Sequence, residues 1–119
     1  MPDAQLLTRA IETAIAIGAG GIRNTDIYCQ GDATLVVQVE MTGAAIGDLT
    51  VAVQPFEADN LTVAPISIPP VQFVGPTLNA GKVYYYAQYD IQALEKARIA
   101  ITNNNAGAQT INRWSWRLS

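Results

Sequence analysis

The amino-acid sequence predicts a single all-β domain, a β-sandwich or jelly-roll-like fold of about eight short strands with a short N-terminal arm or helix. Several runs alternate between apolar and polar residues with a period of two, as expected when one face of a strand lies in a core. Turns containing glycine, proline or asparagine separate these runs. The chain has 119 residues, a length that can bury one core without disulfides or a metal ion.

The alternation is clearest in five segments, which are residues 34–41, 49–54, 83–89, 97–102 and 109–118. The residues expected to face the core are Leu35, Val37, Val39, Val51, Val53, Ile99 and Ile101. In the last segment, the pattern places Thr110, Asn112, Trp114, Trp116 and Leu118 on the face opposite Ile111, Arg113, Ser115 and Arg117. Weaker strands are predicted at residues 13–17, 26–29 and 61–68, the last one at an edge because it contains Pro65.

The connections predict how these strands are joined. Segments 42–48 and 103–107 contain glycines or asparagines, which tolerate positive φ, so both are predicted to be hairpin loops. Residues 79–81 are predicted to form a turn. Pro69, Pro70 and Pro76 favour an extended connection that crosses between sheets.

The N-terminal residues 1–12 are predicted to form an arm outside the sandwich of residues 13–119. Asp3 is a plausible N-cap, and Leu6, Leu7 and Ala10 have helical spacing, so the arm is either a short helix or extended. We expect neither a signal peptide nor a membrane span, because charged residues interrupt the early apolar residues and the run 14–22 is too short to cross a bilayer.

Composition disfavours several classes of function. The net charge is −3 and the seven basic residues are scattered, so no nucleic-acid partner is expected. The chain has no histidine and one cysteine, Cys29. Histidine-dependent catalytic and metal sites are therefore excluded, and Cys29 is expected to be a small buried hydrophobe. We predict no enzymatic activity, no cofactor and no metal ion.

Two other segments contain residue types that occur in catalytic, calcium or phosphate sites. Glu57 and Asp59 have carboxylates suited to acid–base catalysis or to a calcium ion, but solvated loop carboxylates are the favoured interpretation. The segment 18–21 is rich in glycine and lacks the lysine and hydroxyl residue of a phosphate-binding loop, so a turn is predicted there.

Aromatic and arginine side chains near the C-terminus are the main binding candidates. They are Tyr84, Tyr86, Trp114, Trp116, Arg113 and Arg117. An exposed tryptophan pair can stack on a sugar, an exposed Tyr/Trp/Arg patch is typical of a protein interface, and a buried belt would belong to the core. Only 14% of the residues are charged, which indicates either a surface covered by another subunit or a sandwich with a neutral polar exterior.

The segments 49–60, 83–90 and 97–103, with the proline-rich crossing between the first two, resemble small β-sandwich virion proteins of tailed bacteriophages. The resemblance covers about residues 26–118, and the proteins that it concerns include capsid decoration (cement) proteins and sandwich domains of tail proteins; we take it as a resemblance to the capsid decoration type. It implies a homotrimer on the outside of the capsid, made in the host cytoplasm, that binds the major capsid protein and stabilises the shell. It also implies that the N-terminal arm lies on the shell, where Leu6 and Leu7 would make contact. The alternatives are a tail or fibre component of a virion, or a carbohydrate-binding module that uses Trp114 and Trp116.

Overall fold

The computed structural model describes residues 9–92 and 94–119, and within them the fold is all-β, as predicted. The strands are β1 (Arg9–Ile17), β2 (Ile22–Tyr28), β3 (Thr34–Thr42), β4 (Leu49–Pro55), β5 (Gln72–Asn79), β6 (Lys82–Asp90), β7 (Lys96–Asn103) and β8 (Gln109–Leu118). A 3-10 turn, Ile46–Asp48, precedes β4. The described part of the chain contains no helix long and apolar enough to cross a membrane.

Two antiparallel sheets form the sandwich. One has five strands in the order β1-β8-β3-β6-β5, and the other has three in the order β2-β7-β4. Apart from β5 and β6, the neighbours in each sheet are not consecutive in sequence, and six of the seven connections between the described strands carry the chain from one sheet to the other. This interleaved order is jelly-roll-like, and it buries the facing sides of both sheets against each other.

The loops differ from the prediction. Segments 42–48 and 103–107 are not hairpins, because each joins a strand of the five-stranded sheet to a strand of the other sheet. Among the described strands, only β5 and β6 form a hairpin, through Ala80 and Gly81, whose φ angles are +53° and +76°. Two successive positive φ values are those of a type I′ turn, so the turn predicted at residues 79–81 is confirmed.

The core contains the residues that alternation assigned to it. Leu35, Val37, Val39, Val53, Ile99 and Ile101 are buried, and Val51 is half-buried and packs against them. The same cluster also contains, among others, Ile27, Met41, Val83, Ala87, Ile91 and both tryptophans. The predicted inward face is therefore confirmed, with Val51 at its margin.

One inward residue was assigned to the wrong face. Ile111 is fully buried, although simple alternation places it opposite Trp114. The β3–β8 register shifts at this point, since Glu40 pairs with Arg113 while Met41 pairs with Ile111, which leaves Asn112 as an extra residue. Opposite it in β1, Ala14 has a φ of +57°. A bulge of this kind reverses the facing of every residue beyond it.

Strand limits also differ from the prediction, and β2 begins at Ile22 where the sequence indicated residue 26. The segment 61–68 forms only an isolated bridge between Phe56 and Val63, whereas β5 contains Pro76 and was not predicted. Pro76 is tolerated because β5 is an edge strand whose register shifts between Val74 and Thr77.

The N-terminal boundary lies earlier than the sequence indicated. β1 begins at Arg9 and its residues 9–12 pair with β8, so this part of the predicted arm belongs to the sheet. Leu6 and Leu7 lie outside the described residues, and their contact with a shell stays a prediction.

Candidate binding face of the five-stranded sheet

The outer side of the five-stranded sheet, here called the outer face, brings together four of the predicted partner-binding residues. Tyr84 and Tyr86 project from β6, and Arg113 and Arg117 project from β8. Tyr84 is 36% exposed, both arginines are exposed and Tyr86 is half-buried. They share a face because alternate residues of a strand point to the same side.

Strand β3 lies between β6 and β8 and sets the spacing of this surface. Glu40 pairs with Tyr84 on one side and with Arg113 on the other, and Gln38 pairs with Tyr86 and Ser115 in the same way. Because adjacent strands are about 4.8 Å apart, each tyrosine lies two strands from a residue of β8. A shallow depression of about 320 Å³ lies between them.

Apolar side chains flank this aromatic and basic centre. Ile11 on β1 is 58% exposed, and Val74 on β5 is 57% exposed. Ile11 pairs with Ser115 and Val74 pairs with Tyr86, so both lie in the same row as Gln38. The row therefore presents an apolar residue at each side of the sheet and polar residues at its middle.

The two tryptophans lie on the opposite side of the same sheet. Trp114 is 2% exposed and Trp116 is 5% exposed, so both belong to the core. The Trp114 indole Nε1–H donates to Glu12 Oε1 over 2.6 Å. The other carboxylate oxygen of Glu12 accepts from the Arg23 guanidinium over 2.6 Å, which links β1 to β2 across the two sheets. A sugar cannot stack on tryptophans buried in this way, so of the alternatives for this pair the buried belt is the one that the structure supports.

Sequence reasoning missed Glu12 as a structural residue. In the sequence, Glu12 is recognisable only as one of the charged residues that interrupt the early apolar residues. The feature that would have identified it is a carboxylate on the inward side of a strand beside a tryptophan, because a buried indole N–H needs an acceptor.

Asp59 has a structural role in the loop where catalytic carboxylates were considered. It accepts from the backbone N–H groups of Leu61 and Thr62 over 2.9 and 3.0 Å, and from the Thr62 hydroxyl over 2.8 Å. These bonds, led by the one from Leu61, lower the pKa of Asp59 below its usual 3.8. The described residues contain no group of three or more His, Cys, Asp or Glu side chains placed to hold a metal ion.

Cys29 is buried, as expected of a small hydrophobe. Burial, with a smaller contribution from the nearby Asp32 carboxylate, raises the pKa of the thiol to about 11. The thiolate is the nucleophilic form of cysteine, so this position is unsuited to nucleophilic chemistry.

Asn103 is a second residue that sequence reasoning misjudged. It was expected to begin a hairpin loop, but it is the last residue of β7 and its side chain is fully buried. Its Nδ2 lies 3.2, 3.1 and 3.0 Å from the carbonyl oxygens of Ile17, Gly18 and Gly107, and its Oδ1 accepts from the Asn105 N–H over 2.9 Å. Asn103 therefore ties the β1–β2 connection to the β7–β8 connection.

No protein-family model and no curated protein sequence matches the chain. Among solved structures, it is similar to tailspike protein 4 of bacteriophage CBA120, with a TM-score of 0.53 and 10% identity over 96% of this chain and 18% of that one. It is also similar to BtGH115A, a family GH115 4-O-methyl-α-glucuronidase with specificity for decorated arabinogalactans, with a TM-score of 0.50 and 10% identity over 98% of this chain and 17% of that one. The SPBc2 prophage-derived protein YomS aligns over 93% of both chains, with a TM-score of 0.47 and 17% identity.

The chain spans less than a fifth of the tailspike and glucuronidase chains. At these identities the similarity concerns the fold alone. The chain has a β-sandwich fold that also occurs in a bacteriophage tailspike protein and in a glycoside hydrolase.

Proposed function

We propose that the chain is a non-enzymatic structural protein of a tailed-bacteriophage virion that binds the outside of the capsid through its outer face and stabilises the shell. The observation that carries the proposal is the arrangement of Tyr84, Tyr86, Arg113 and Arg117 on one side of a five-stranded sheet. Tyrosine and arginine are enriched where proteins bind one another, and they are the residues that most often dominate the binding energy.

The physical basis of stabilisation is differential affinity. A protein that binds assembled shells more tightly than isolated subunits shifts the equilibrium toward the assembled state. A homotrimer of the chain would bind several capsid subunits at once, which raises the overall affinity without new contacts. The flanking Ile11 and Val74 add apolar area to each contact.

The experiment is co-sedimentation of the purified protein with undecorated capsids. The variant carries Tyr84→Ala and Arg113→Ala together, and the matched control is Tyr28→Ala, an exposed tyrosine on the other sheet. We expect the double variant to bind at least about tenfold more weakly, equivalent to about 1.4 kcal/mol, and the control to bind as the unchanged protein does. Failure of the unchanged protein to sediment with capsids, or equal binding by the double variant, would contradict the proposal.

A tail or fibre component of a virion is the second candidate. The observation that favours it is the occurrence of the fold in a bacteriophage tailspike protein. The same sedimentation assay with purified tails in place of capsids separates the two, since binding to tails alone would support the second candidate. A size measurement of the free protein in solution tests the trimer in both cases.

A further inference from the structure

A cavity of about 450 Å³ lies at one end of the sandwich, away from the outer face. Three connections form it, namely β2–β3, β4–β5 and β6–β7. Its lining residues are Tyr28, Gln30, Gly31, Asn60, Gln92, Leu94 and Glu95. Its volume falls in the range of small-molecule sites, and its chemistry is an aromatic ring accompanied by amide and carboxylate groups.

Tyr28 supplies a flat exposed surface, and its ring is in contact with Lys96. Its side chain is 59% exposed at the end of β2. The Lys96 ammonium lies 5.2 Å from the centroid of the Tyr28 ring and 4.3 Å from that of Phe56. Contacts of this kind hold a ring through its negative face, so Lys96 restrains the Tyr28 ring, whose exposed part supplies apolar surface to the lining of the cavity.

The backbone around the cavity is held in place by hydrogen bonds between the connections. Gln30 and Gly31 have φ angles of +60° and +79°, and the Asp32 N–H donates to the Cys29 carbonyl over 2.9 Å, which closes a tight turn. The Cys29 N–H donates to the Glu95 carbonyl over 2.8 Å, which joins this turn to the β6–β7 connection.

Asn60 joins the third connection, β4–β5, to the β6–β7 connection. Its φ is +57°, its carbonyl accepts from Lys96 Nζ over 3.0 Å and its Nδ2 donates to Glu95 Oε2 over 3.3 Å. The Asn60 amide and the Glu95 carboxylate are therefore placed before a ligand arrives, which reduces the ordering cost of binding.

Charge restricts the kind of ligand. Besides Glu95, the three connections and their flanking residues contribute the carboxylates of Asp32, Glu57, Asp59 and Asp90. The Lys96 ammonium, which donates to the Asn60 carbonyl, offsets part of this charge, and the remaining negative charge disfavours an anionic ligand. A ligand with many hydroxyl groups, one apolar face and no negative charge satisfies both the ring and the amides.

We propose that this cavity binds a neutral hexose-based oligosaccharide, with one sugar ring stacked on Tyr28 and its hydroxyls bonded to Gln30, Gln92 and Glu95. The site is separate from the outer face, and it does not use the tryptophans. A chain bound to a particle by its outer face would then carry a second, sugar-binding surface.

The test is an NMR titration of the isotope-labelled full chain with maltotriose, cellotriose and mannotriose in turn, and with tri-galacturonic acid as the anionic counterpart. We expect at least one neutral trisaccharide to bind with a dissociation constant in the millimolar range or tighter, with chemical-shift changes centred on Tyr28, Gln30, Gln92 and Glu95. The anionic trisaccharide should bind at least about tenfold more weakly than the best neutral one, and Glu95→Gln should reduce that difference.

Variants separate stacking from a general structural effect. Tyr28→Ala should weaken binding at least about tenfold, whereas Tyr28→Phe, which keeps the ring and its packing on Lys96, should stay within about threefold of the unchanged protein. Gln92→Ala, at an exposed position, should weaken binding without unfolding the chain. Tyr84→Ala on the outer face is the matched control and should leave binding unchanged.

The proposal is overturned if none of the neutral trisaccharides changes the spectrum, if the shifts are centred elsewhere, or if Tyr28→Ala and Gln92→Ala both bind as the unchanged protein does. Capsid binding is measured separately and depends on other residues. Loss of one activity with retention of the other therefore shows which of the two proposals has failed.

Discussion

On β8, neighbouring residues serve the two faces of the five-stranded sheet in different ways. Trp114 and Trp116 are 2% and 5% exposed and lie in the core, whereas Arg113 and Arg117 are exposed on the outer face. The sequence put all four among the binding candidates, and alternation placed the tryptophans and the arginines on opposite faces without deciding which face is buried. The residues that favour protein interfaces are also large enough to fill a sandwich core, so residue type does not separate the two roles, and burial does.

The largest expected effect is at the inner face. Trp114→Ala should destabilise the fold by about 3–5 kcal/mol, because it removes a buried aromatic side chain and leaves a cavity. Arg113→Ala, the adjacent residue on the outer face, should change the free energy of unfolding by less than about 0.5 kcal/mol. Urea unfolding measures both, and similar losses at the two positions would contradict the division between the faces.

Two glutamates of the five-stranded sheet, Glu12 and Glu40, allow the same comparison of stability between the two faces. Glu12→Ala should cost about 1–3 kcal/mol, because it leaves the Trp114 indole N–H and the Arg23 guanidinium without their acceptor. Glu40→Ala on the outer face removes a partly exposed pair with Lys82, 3.6 Å between Nζ and Oε2, and should cost about 0–1 kcal/mol. Equal costs in urea unfolding would show that the link between the sheets adds nothing to stability.

A carboxylate in the β3–β4 connection, that of Asp48, should make the stability of the fold depend on pH. The Asp48 carboxylate accepts from Asn105 Nδ2 over 3.0 Å and from the N–H groups of Ala44 and Ala45 over 2.8 and 3.2 Å. The bond from Asn105, then that from Ala44, lowers the pKa of Asp48 below its usual 3.8.

Ionised Asp48 should therefore stabilise the fold above the pKa of the unfolded chain, and this contribution should be lost as the pH falls through the lower pKa of the folded state. Asp48→Asn should be less stable than the unchanged protein at neutral pH, with a difference that shrinks in strong acid. Thermal melting at both pH values tests this, and a constant difference would contradict it.

The last prediction concerns the reactivity of the Cys29 thiol and involves no change in stability. With a pKa of about 11, only about one thousandth of the thiol is ionised at pH 8, and the side chain is buried besides. In a Thr13→Cys variant, the new thiol on exposed β1 should react with iodoacetamide at an ordinary rate while Cys29 reacts only after unfolding. Mass spectrometry of the labelled peptides distinguishes the two, and equal labelling of the folded protein would show that Cys29 is accessible.

Local patterns predicted much of the fold. The inward positions of β3, β4 and β7 followed from alternation, and the Ala80–Gly81 turn followed from its residues. The failures came where a local pattern has more than one tertiary solution. A glycine- or asparagine-rich loop looks the same whether it closes a hairpin or crosses between sheets, and Pro76 suggested a connection although an edge strand tolerates it.

Of the two candidate binding surfaces, the sequence predicted the outer face and did not predict the cavity. Tyr84, Tyr86, Arg113 and Arg117 could be selected from the sequence because each lies in a strand with clear alternation. Tyr28, Asn60 and Gln92 could not, because they come from the end of β2 and from two connections that are far apart in the chain. No local pattern indicates that such loops meet.

The sequence by itself therefore determined the fold class, most inward residues and the absence of histidine chemistry, because alternation and composition act within one strand or over the whole chain. The tertiary structure alone decided which strands are neighbours, that Ile111 turns inward at a bulge, and that the tryptophans lie in the core while the arginines beside them face out. Strand pairing and bulges depend on contacts between distant segments, and the free energy of those contacts appears only once both sheets are packed together.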